Sequence, residues 1–357
     1  MDIQLVIPFC EQCGIHDYAV LLAEHLPGAG IRHALNSASP ACDVLHVQYE
    51  PTLFRQGRKN RFPVLKECVA RARVVTVHEV YESNPFIAPL PQGPGPMGAL
   101  RRLKYRLIHR LEFLEESFAA QDFFAHAILV HTRAAKALLV AKGASPDKIH
   151  VLPHPVFPLP PGTAPLPSSP GGPRTILVFG FLSPANDYGL LLDAFTRVRE
   201  RARLVIAGTV RRPEDKGLEE KLALDIARRG LTDRVKRTGY VESGKLAALF
   251  SCADLFVSPA RVKTGSGTLA RALGAGLPVI AADLPHVREI NNEVADCIAA
   301  YPAGDPAALA ACLSTLLDDT AARAARERVQ AYARKHSLAA FAEAHVQLYR
   351  RLLESSA

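Results

Sequence analysis

Residues 257–283, VSPARVKTGSGTLARALGAGLPVIAAD, contain the pattern on which the fold assignment rests. They combine a short apolar strand pattern, a turn of small residues, an apolar helix pattern and a second apolar strand pattern. Short strands that are apolar throughout are typical of a parallel sheet with helices on both faces. Hydroxyl groups and backbone N–H groups converge where the turn TGSGT meets the helix start, which attracts anions. We expect a diphosphate to bind there.

The same alternation of strands and helices runs along the whole chain, and a proline-rich segment divides it. Strand patterns such as IQLVI and RVVTV precede the segment, and TILVF, ARLVIA and DLFVS follow it. Residues 158–173 hold seven prolines in sixteen positions, which suits an extended linker. We predict an α/β protein of two Rossmann-like doubly wound domains, 1–157 and 174–337, facing a central cleft. The strand LPVIAAD is predicted to close the second sheet.

Composition limits the classes of function. The 357 residues carry a net charge of +8, which favours acidic partners such as nucleotides or phospholipids. The chain has no Trp and no nucleic-acid-binding signature, so a nucleic acid is not an expected partner. The first residues do not resemble a signal peptide, and no stretch reaches the roughly 18 apolar residues of a membrane span, so we expect a cytoplasmic protein. Cys10 and Cys13 form a C-x-x-C without a second pair, and we expect reduced structural thiols.

Candidate residues of the first half follow its predicted strands, because ligands of parallel sheets bind beyond the carboxyl ends of the strands. Gly14 allows a close backbone turn after the first strand, and Asp17 is predicted to cap the next helix. His78 lies just past another strand and is expected to point into the cleft, where it can hydrogen bond a sugar hydroxyl or a phosphate. An architectural role is favoured for His131 and His154, which follow two further strands.

In the second half, the turn at 264–268 is the strongest local signal. No Gly-Lys-[Ser/Thr] follows it, which excludes a Walker loop, and it does not follow a first strand as the dinucleotide-binding G-x-G-x-x-G does. Gly180 ends the first strand of this half, and its loop carries no Lys or Arg. Arg211 and Arg212, after the next strand, can reach either a phosphate or the solvent, and the solvated interpretation is favoured.

These motifs, in this order, resemble the GT-B glycosyltransferases of the retaining family 4 type. GIHDYAVLLAEHL resembles the family's glycine loop and first helix, and HVQYE and TVHE resemble its next strand ends. ILVHTRAAKALL and VLPHPV resemble its I-V-H-S and I-P-H-G segments. FGFLSPANDYGLLLDAF resembles G-F-x-x-x-K-G-x-x-L-L-x-A-F, and GAGLPVIAAD resembles A-C-G-x-P-V-V-A-S-D. The resemblance covers nearly the whole chain and implies that the last helix, 338–354, packs back on the first domain.

The chain departs from this family at the residues that hold the donor. The family has an Arg where this chain has Phe181, and a Lys about five residues on, where Asn186 stands nearest. The two glutamates of the family's E-x7-E motif fall at Lys263 and Arg271. In one interpretation Lys263 on the facing loop neutralises the diphosphate instead. In the other, the donor site is lost and the protein is an inert partner subunit. The first is favoured, because a lost site need not keep a turn so suited to phosphate.

The resemblance implies a retaining hexosyltransferase that moves a sugar from a nucleotide diphosphate sugar to an acceptor hydroxyl. No D-x-D occurs in the chain, so we expect metal independence and no cofactor besides the donor substrate. His78 is the candidate catalytic residue. The expected donor phosphate contacts are Gly14, Lys263, Thr264, Gly265, Ser266, Gly267 and Thr268. The expected nucleotide contacts are Phe181, Ser183, Arg211, Tyr240, Val241 and Arg271, and those on the acceptor side are His16 and Asp17.

Residues 99–118, ALRRLKYRLIHRLEFLEESF, form a basic amphipathic helix pattern. Such a helix either lies on an anionic membrane surface or packs on the first domain with solvated arginines, and both interpretations stay open. Membrane contact would fit a lipid-linked acceptor and cell-surface polysaccharide or glycoconjugate synthesis on the inner face of the membrane.

Three functions follow from these observations. The favoured one is the retaining glycosyltransferase, and the second is a catalytically inert GT-B protein that serves as a subunit or scaffold. The third is a related GT-B enzyme such as a sugar-nucleotide epimerase. Nucleotide binding separates the first two, and product analysis with a labelled donor separates the first from the third.

Overall fold

The computed structural model of the chain contains two compact units. The residues it describes are 1–8, 14–33, 41–50, 53–56, 59–60, 69–80, 96–100, 103–104, 125–160, 163, 172–198, 202–211, 215–263 and 265–355. The first unit is Met1–Pro153 with Leu338–Ala357, and the second is His154–Ser337.

The boundary between the units precedes the linker predicted from the prolines. Residues 154–157 belong to the second unit because their backbone is bonded to it: Val156 N donates to His336 O over 2.9 Å. A Cβ on Gly274 would lie 2.1 Å from the carbonyl oxygen of Phe157, so the two backbones are in direct contact. The second unit therefore includes a short segment that the sequence assigned to the first.

The first unit contains a six-stranded parallel sheet. Its strands are β1 (Ile3–Ile7), β2 (Ala29–His33), β3 (Cys42–Tyr49), β6 (Ala70–Val77), β7 (Ala127–Val130) and β8 (Ile149–Val151), and β4 (Arg55–Gln56) and β5 (Lys59–Asn60) form a separate antiparallel pair. The order in the sheet is β2-β1-β3-β6-β7-β8. Its helices include α1 (Gly14–His25), α2 (Arg133–Ala141) and α10 (Leu338–Glu354).

The last helix, α10, returns to this sheet. Its Tyr349 hydroxyl lies 2.6 Å from Nδ1 of His46 on β3, and Nε2 of the same ring lies 2.7 Å from the Thr76 hydroxyl on β6. All three side chains are buried. A chain of hydrogen bonds therefore joins the last helix to two strands of this sheet.

The second unit contains another six-stranded parallel sheet. Its strands are β9 (Arg174–Phe179), β10 (Ala202–Ala207), β11 (Val235–Gly239), β12 (Leu255–Ser258), β13 (Val279–Ala282) and β14 (Ile298–Tyr301). Its helices are α3 (Tyr188–Thr196), α4 (Gly217–Arg228), α5 (Ser243–Ser251), α6 (Gly267–Gly274), α7 (Pro285–Glu293), α8 (Pro306–Leu317) and α9 (Asp319–Lys335). The order is β11-β10-β9-β12-β13-β14. The prediction that LPVIAAD closes the set was wrong, because β14 pairs beyond β13.

Helices cover both faces of the second sheet, as its continuous apolar strands predicted. Ile176 and Val178 of β9 belong to the core on one face, which α3 and α8 cover. Leu177 belongs to the core on the other face, which α6 and α9 cover. Because alternate side chains of a strand point to opposite faces, a short apolar run supplies two cores at once.

Two sequence predictions fall largely outside the described residues. Of the amphipathic segment 99–118, the structure describes four residues, and the pair Cys10 and Cys13 is not among those described. In the part of the chain that is described, no helix is long and apolar enough to cross a membrane.

Candidate functional site

The strand order of the second sheet reverses between β9 and β12, and ligands of an open parallel sheet bind outside the carboxyl ends of the strands at such a point. The β9 loop (180–187) and the β12 loop (259–266) leave the sheet there. Asp187 N donates to Pro259 O over 2.8 Å, and Arg261 N donates to the β9 loop over the same distance. The two loops therefore hold each other in place.

Helix α6 begins at this point of the sheet. Ser266 is its N-cap residue, and its Oγ accepts a hydrogen bond from Leu269 N over 3.3 Å. The hydroxyls of Ser266 and Thr268 lie 3.0 Å apart. The helix begins at Gly267, so Gly267 and Thr268, predicted to precede it, are its first residues. First-turn N–H groups have no acceptor within the helix, so this end can bind an anion.

Two glycines bring the β9 loop against its neighbours. Gly208 lies in the loop after β10, whose residues 208–211 are called the β10 loop. It has a φ of +148°, and a Cβ there would lie 1.9 Å from the carbonyl oxygen of Gly180. A Cβ on Gly180, whose φ is +130°, would lie 3.0 Å from the methyl group of Thr268. The end of β9 therefore contacts both the β10 loop and the start of α6.

The guanidinium of Arg211 lies over the ring of Phe181, 5.3 Å from its centroid. The sequence assigned both residues to the nucleotide without predicting this contact. Ser183, assigned with them, is in the same loop, where its Oγ accepts a hydrogen bond from Ala185 N over 3.2 Å. The β9 loop thus presents an aromatic ring with a cation stacked on it.

Glu219 on α4 fixes the backbone that carries Arg211, and the sequence did not single it out. Its Oε1 accepts hydrogen bonds from the Thr209 hydroxyl and from Val210 N, the latter over 3.2 Å. These bonds hold the pKa of Glu219 below its usual value, first through the Thr209 hydroxyl. Glu219 is ten residues from Thr209 in the chain, so the local sequence gives no signal for this role.

Lys263 lies in the β12 loop next to a buried histidine that the sequence analysis also missed. His286, near the start of α7, is 4% exposed and hydrogen bonds the backbone of Lys263. Burial, and after it the charge of Lys263, lower the pKa of His286 to about 4. Lys263 is therefore tied to α7 by its backbone. Thr264, the next residue, lies outside the described part of the chain.

Arg271 lies on α6, and its guanidinium is 5.1 Å from the ring centroid of Phe157. His154 lies near the start of the same helix, since a Cβ on Gly267 would be 3.9 Å from its Nε2. Gly265, half-buried, lies in the β12 loop just before the N-cap residue. The structure thus places a histidine beside the helix start, where the sequence favoured an architectural role.

Tyr240 and Val241 follow β11, at the edge of the sheet. Gly239 forms a bridge with Gly208 of the β10 loop, so this end of β11 is adjacent to that loop. Tyr240 is 44% exposed, and Val241 packs partly against the core. Tyr240 is the better placed of the two for contact with a ligand.

His78, the predicted catalytic residue, lies in the first unit directly after β6. Its backbone N donates to Tyr49 O over 3.0 Å, and its Nε2 lies 3.0 Å from Oε1 of buried Gln48. Its ring meets that of Tyr18 edge to face at 4.7 Å. These contacts hold the half-buried ring at the carboxyl end of the sheet, and its role in catalysis stays a prediction.

Gly14, His16 and Asp17 lie in the first turn of α1. The prediction that Asp17 caps this helix was wrong, because the helix begins at Gly14, three residues earlier. The Asp17 carboxylate still lies near the positive end of the helix dipole. Nδ1 of His16 is 3.9 Å from Oδ1 of Asp17. A Cβ on Gly14 would meet nothing within 4 Å, so no close backbone approach requires this glycine.

Sequence comparison finds matches to part of the chain. Residues 173–319 match the family model of glycosyl transferases group 1. A stretch of 151 residues is 33% identical to a phosphatidyl-myo-inositol mannosyltransferase of Mycobacterium leprae, covering 40% of this chain and 37% of that protein. A mannosylfructose-phosphate synthase of Agrobacterium fabrum is 28% identical over 112 residues, which are 30% of this chain and 25% of that protein. The matches thus span well under half of either curated relative.

Structural comparison extends to the whole chain. The HepE protein of Anabaena, solved in complex with UDP and glucose, matches with a TM-score of 0.72 at 13% identity, over 98% of this chain and 100% of that one. WaaG, a glycosyltransferase involved in lipopolysaccharide biosynthesis, matches with a TM-score of 0.60 at 16% identity, over 97% and 99% of the two chains. The architecture of two parallel six-stranded sheets with helices is the GT-B fold.

Proposed function

We propose that the protein transfers a hexose from a nucleotide diphosphate sugar to an acceptor hydroxyl, a proposal supported by the match of residues 173–319 to the family model of glycosyl transferases group 1. The observation that carries the proposal is the start of α6 at the point where the strand order reverses. Helix N–H groups and the hydroxyls of Ser266 and Thr268 converge there. This is the arrangement that binds phosphate at the carboxyl end of an open sheet.

Positive charge for the diphosphate comes from the β12 loop in this proposal. Lys263 stands three residues before the N-cap of α6, and the hydrogen bond from His286 to its backbone restrains the loop. A cation at a helix start strengthens anion binding, because charge-assisted hydrogen bonds add to the helix dipole. Lys263 would then neutralise the donor diphosphate, as the cations of the β9 loop do in the GT-B family that the sequence resembles.

The catalytic step follows from this placement of charge. As the sugar leaves the diphosphate, negative charge grows on the departing oxygen, which groups fixed before the reaction stabilise. Retention is proposed, with the departing diphosphate taking the proton of the acceptor hydroxyl on the same face of the sugar. His78 orients the sugar or the acceptor. The absence of D-x-D supports the proposal that the reaction needs no metal.

The acceptor is proposed to be a sugar or a lipid-linked molecule of the cell surface. One relative is named for mannosyl transfer to phosphatidyl-myo-inositol, and another protein of the same fold for lipopolysaccharide biosynthesis. The basic amphipathic pattern at 99–118 supports contact with an anionic membrane, on which such an acceptor would lie. A peripheral position on the inner face of the membrane follows from this proposal.

The charge of Lys263 gives a direct test. We expect Lys263→Ala to weaken binding of a nucleoside diphosphate by about tenfold to a hundredfold and to leave nucleoside binding nearly unchanged. Isothermal titration with UDP, GDP, ADP and TDP and with the matching nucleosides measures both. Lys245→Ala is the matched control, because this exposed lysine on α5 removes the same charge from the same unit. Equal losses for diphosphate and nucleoside would reject the role of Lys263.

The alternative is a catalytically inert GT-B protein that acts as a partner subunit. It is supported by the cations at 263 and 271, because a cation cannot accept a hydrogen bond from a ribose hydroxyl. Arg271 lies against the ring of Phe157, which gives it a packing role in α6. This alternative predicts that wild-type protein binds none of the four diphosphates.

A further inference from the structure

We propose that Arg211 supplies a guanidinium to the diphosphate of the donor, from a position over the Phe181 ring that the β10 loop holds. The inference rests on the proposed function and adds to it a specific residue for the same site. Arg211 follows β10, which lies on one side of β9, whereas Lys263 follows β12, which lies on the other side.

The position of Arg211 is set by backbone contacts. Leu182 N donates to Thr209 O over 2.8 Å, and Leu182 bridges to Val210, the residue before Arg211. The contact between Gly208 and the carbonyl oxygen of Gly180 brings the two loops together without side chains between them. The β10 loop therefore runs along the β9 loop and places Arg211 next to Phe181.

The same loops reach the start of α6. Gly180, the neighbour of Phe181, is in contact range of Thr268, whose hydroxyl pairs with the N-cap Ser266. Gly180 therefore connects Phe181 to the first turn of α6 at the carboxyl end of β9. Arg211, whose guanidinium lies over the Phe181 ring, follows β10 at the same edge of the sheet.

The anchoring of the loop is itself specific. The Glu219 carboxylate accepts hydrogen bonds from two consecutive residues, Thr209 and Val210, which fixes the backbone immediately before Arg211. A cation that is merely solvated needs no such anchor. Glu219 is therefore assigned as a positioning residue.

The guanidinium of Arg211 contacts the Phe181 ring, and the residue is exposed. Among the residues that the structure describes, no carboxylate pairs with it. Stacking on an aromatic ring leaves the edge of a guanidinium free, and that edge presents paired N–H donors that match a phosphate. Phe181 thus orients the cation without competing for its hydrogen bonds.

Variants at Arg211 test the proposal. Arg211→Ala is expected to weaken nucleoside diphosphate binding by about tenfold to a hundredfold, with little change for the nucleoside. Arg211→Lys is expected to weaken diphosphate binding by about half as much on a logarithmic scale, because lysine keeps the charge but not the paired N–H donors. Arg228→Ala on α4 is the control, since it removes an arginine that is 73% exposed from the same unit. Thermal unfolding of each variant should match wild type, because Arg211 is exposed.

The outcomes separate the two proposals. If wild type binds a diphosphate and Arg211→Ala binds it equally well, the assignment of Arg211 is overturned and the proposed function stands. If Arg211→Ala and Arg228→Ala weaken binding to the same extent, the effect is one of net charge, which also overturns the assignment. If wild type binds none of the four diphosphates, the proposed function falls, and the role of Arg211 falls with it.

Discussion

Individual residues of the proposed donor site differ in how far the sequence predicts them. Ser266 caps α6 and Gly180 directly follows β9, positions at which hydroxyl and small residues are common. His286 and Glu219 were missed, because each acts on a residue in another loop, through a hydrogen bond that only the folded chain forms. Local patterns predict caps and turns, whereas contacts between loops depend on how the strands are ordered.

At the residue scale, Gly208 gives a stability prediction. Gly208→Ala would place a Cβ 1.9 Å from the Gly180 carbonyl oxygen at a φ of +148°, so we expect a loss of about 3 kcal/mol or more in the free energy of unfolding. Urea denaturation measures it. Gly244→Ala in α5 is the control, because a Cβ there meets nothing within 4 Å and a helix favours alanine by about 0.5–1 kcal/mol. Equal stability of the two variants would contradict the close loop contact.

Among the elements, the central strands were predicted, and two of the four edge strands, β2 and β14, were missed. β2 holds two polar residues and a glycine in AGIRH, and β14 holds two alanines in IAAY, so neither has a strong apolar pattern. Each forms because a paired strand already lies beside it: Ile3 aligns with Ala29, and Val279 with Ile298. Pairing in the folded chain, rather than local propensity, decides such strands.

At the element scale, Tyr349 tests how α10 is held. Tyr349→Phe removes the hydroxyl that lies 2.6 Å from Nδ1 of His46 and leaves a buried ring nitrogen without its partner. We expect a loss of about 1–3 kcal/mol in the free energy of unfolding by urea. Tyr240→Phe is the matched control, because Tyr240 is 44% exposed. Unchanged stability of Tyr349→Phe would show that α10 is held by apolar packing alone.

For the whole molecule, the sequence predicted two α/β units from the repeated alternation of strands and helices on either side of the prolines. It placed the start of the second unit too late, because the boundary was set at the prolines, whereas 154–157 joins that unit through backbone contacts with α6 and α9. The reversal of strand order between β9 and β12, which locates the proposed donor site, follows from the doubly wound arrangement.

The stability of the molecule is expected to fall on acidification. Burial lowers the pKa of His131 and His345 to about 4 and that of His46 well below its usual value. An unfolded chain binds protons on these rings near pH 6.5, so the stability they contribute is present above that pH and is lost as the pH falls towards 4. His131 and His345 each contribute on the order of 2 kcal/mol.

Urea unfolding at pH 7.5 and pH 5 measures this effect. The midpoint should be lower at pH 5, and His345→Leu should reduce the difference, because one protonating ring is removed. His25→Gln, at an exposed position of α1, should leave the difference unchanged. A midpoint that does not depend on pH would show that these rings are not buried in neutral form.

The central claim is that the start of α6 binds the diphosphate of a sugar nucleotide. Its most direct test is titration of wild-type protein with UDP, GDP, ADP and TDP beside the matching nucleosides. The account predicts that at least one diphosphate binds saturably and at least tenfold more tightly than its nucleoside, because helix N–H groups, hydroxyls and cations act on the phosphates. Absence of binding for all four diphosphates would contradict it and favour the inert partner subunit.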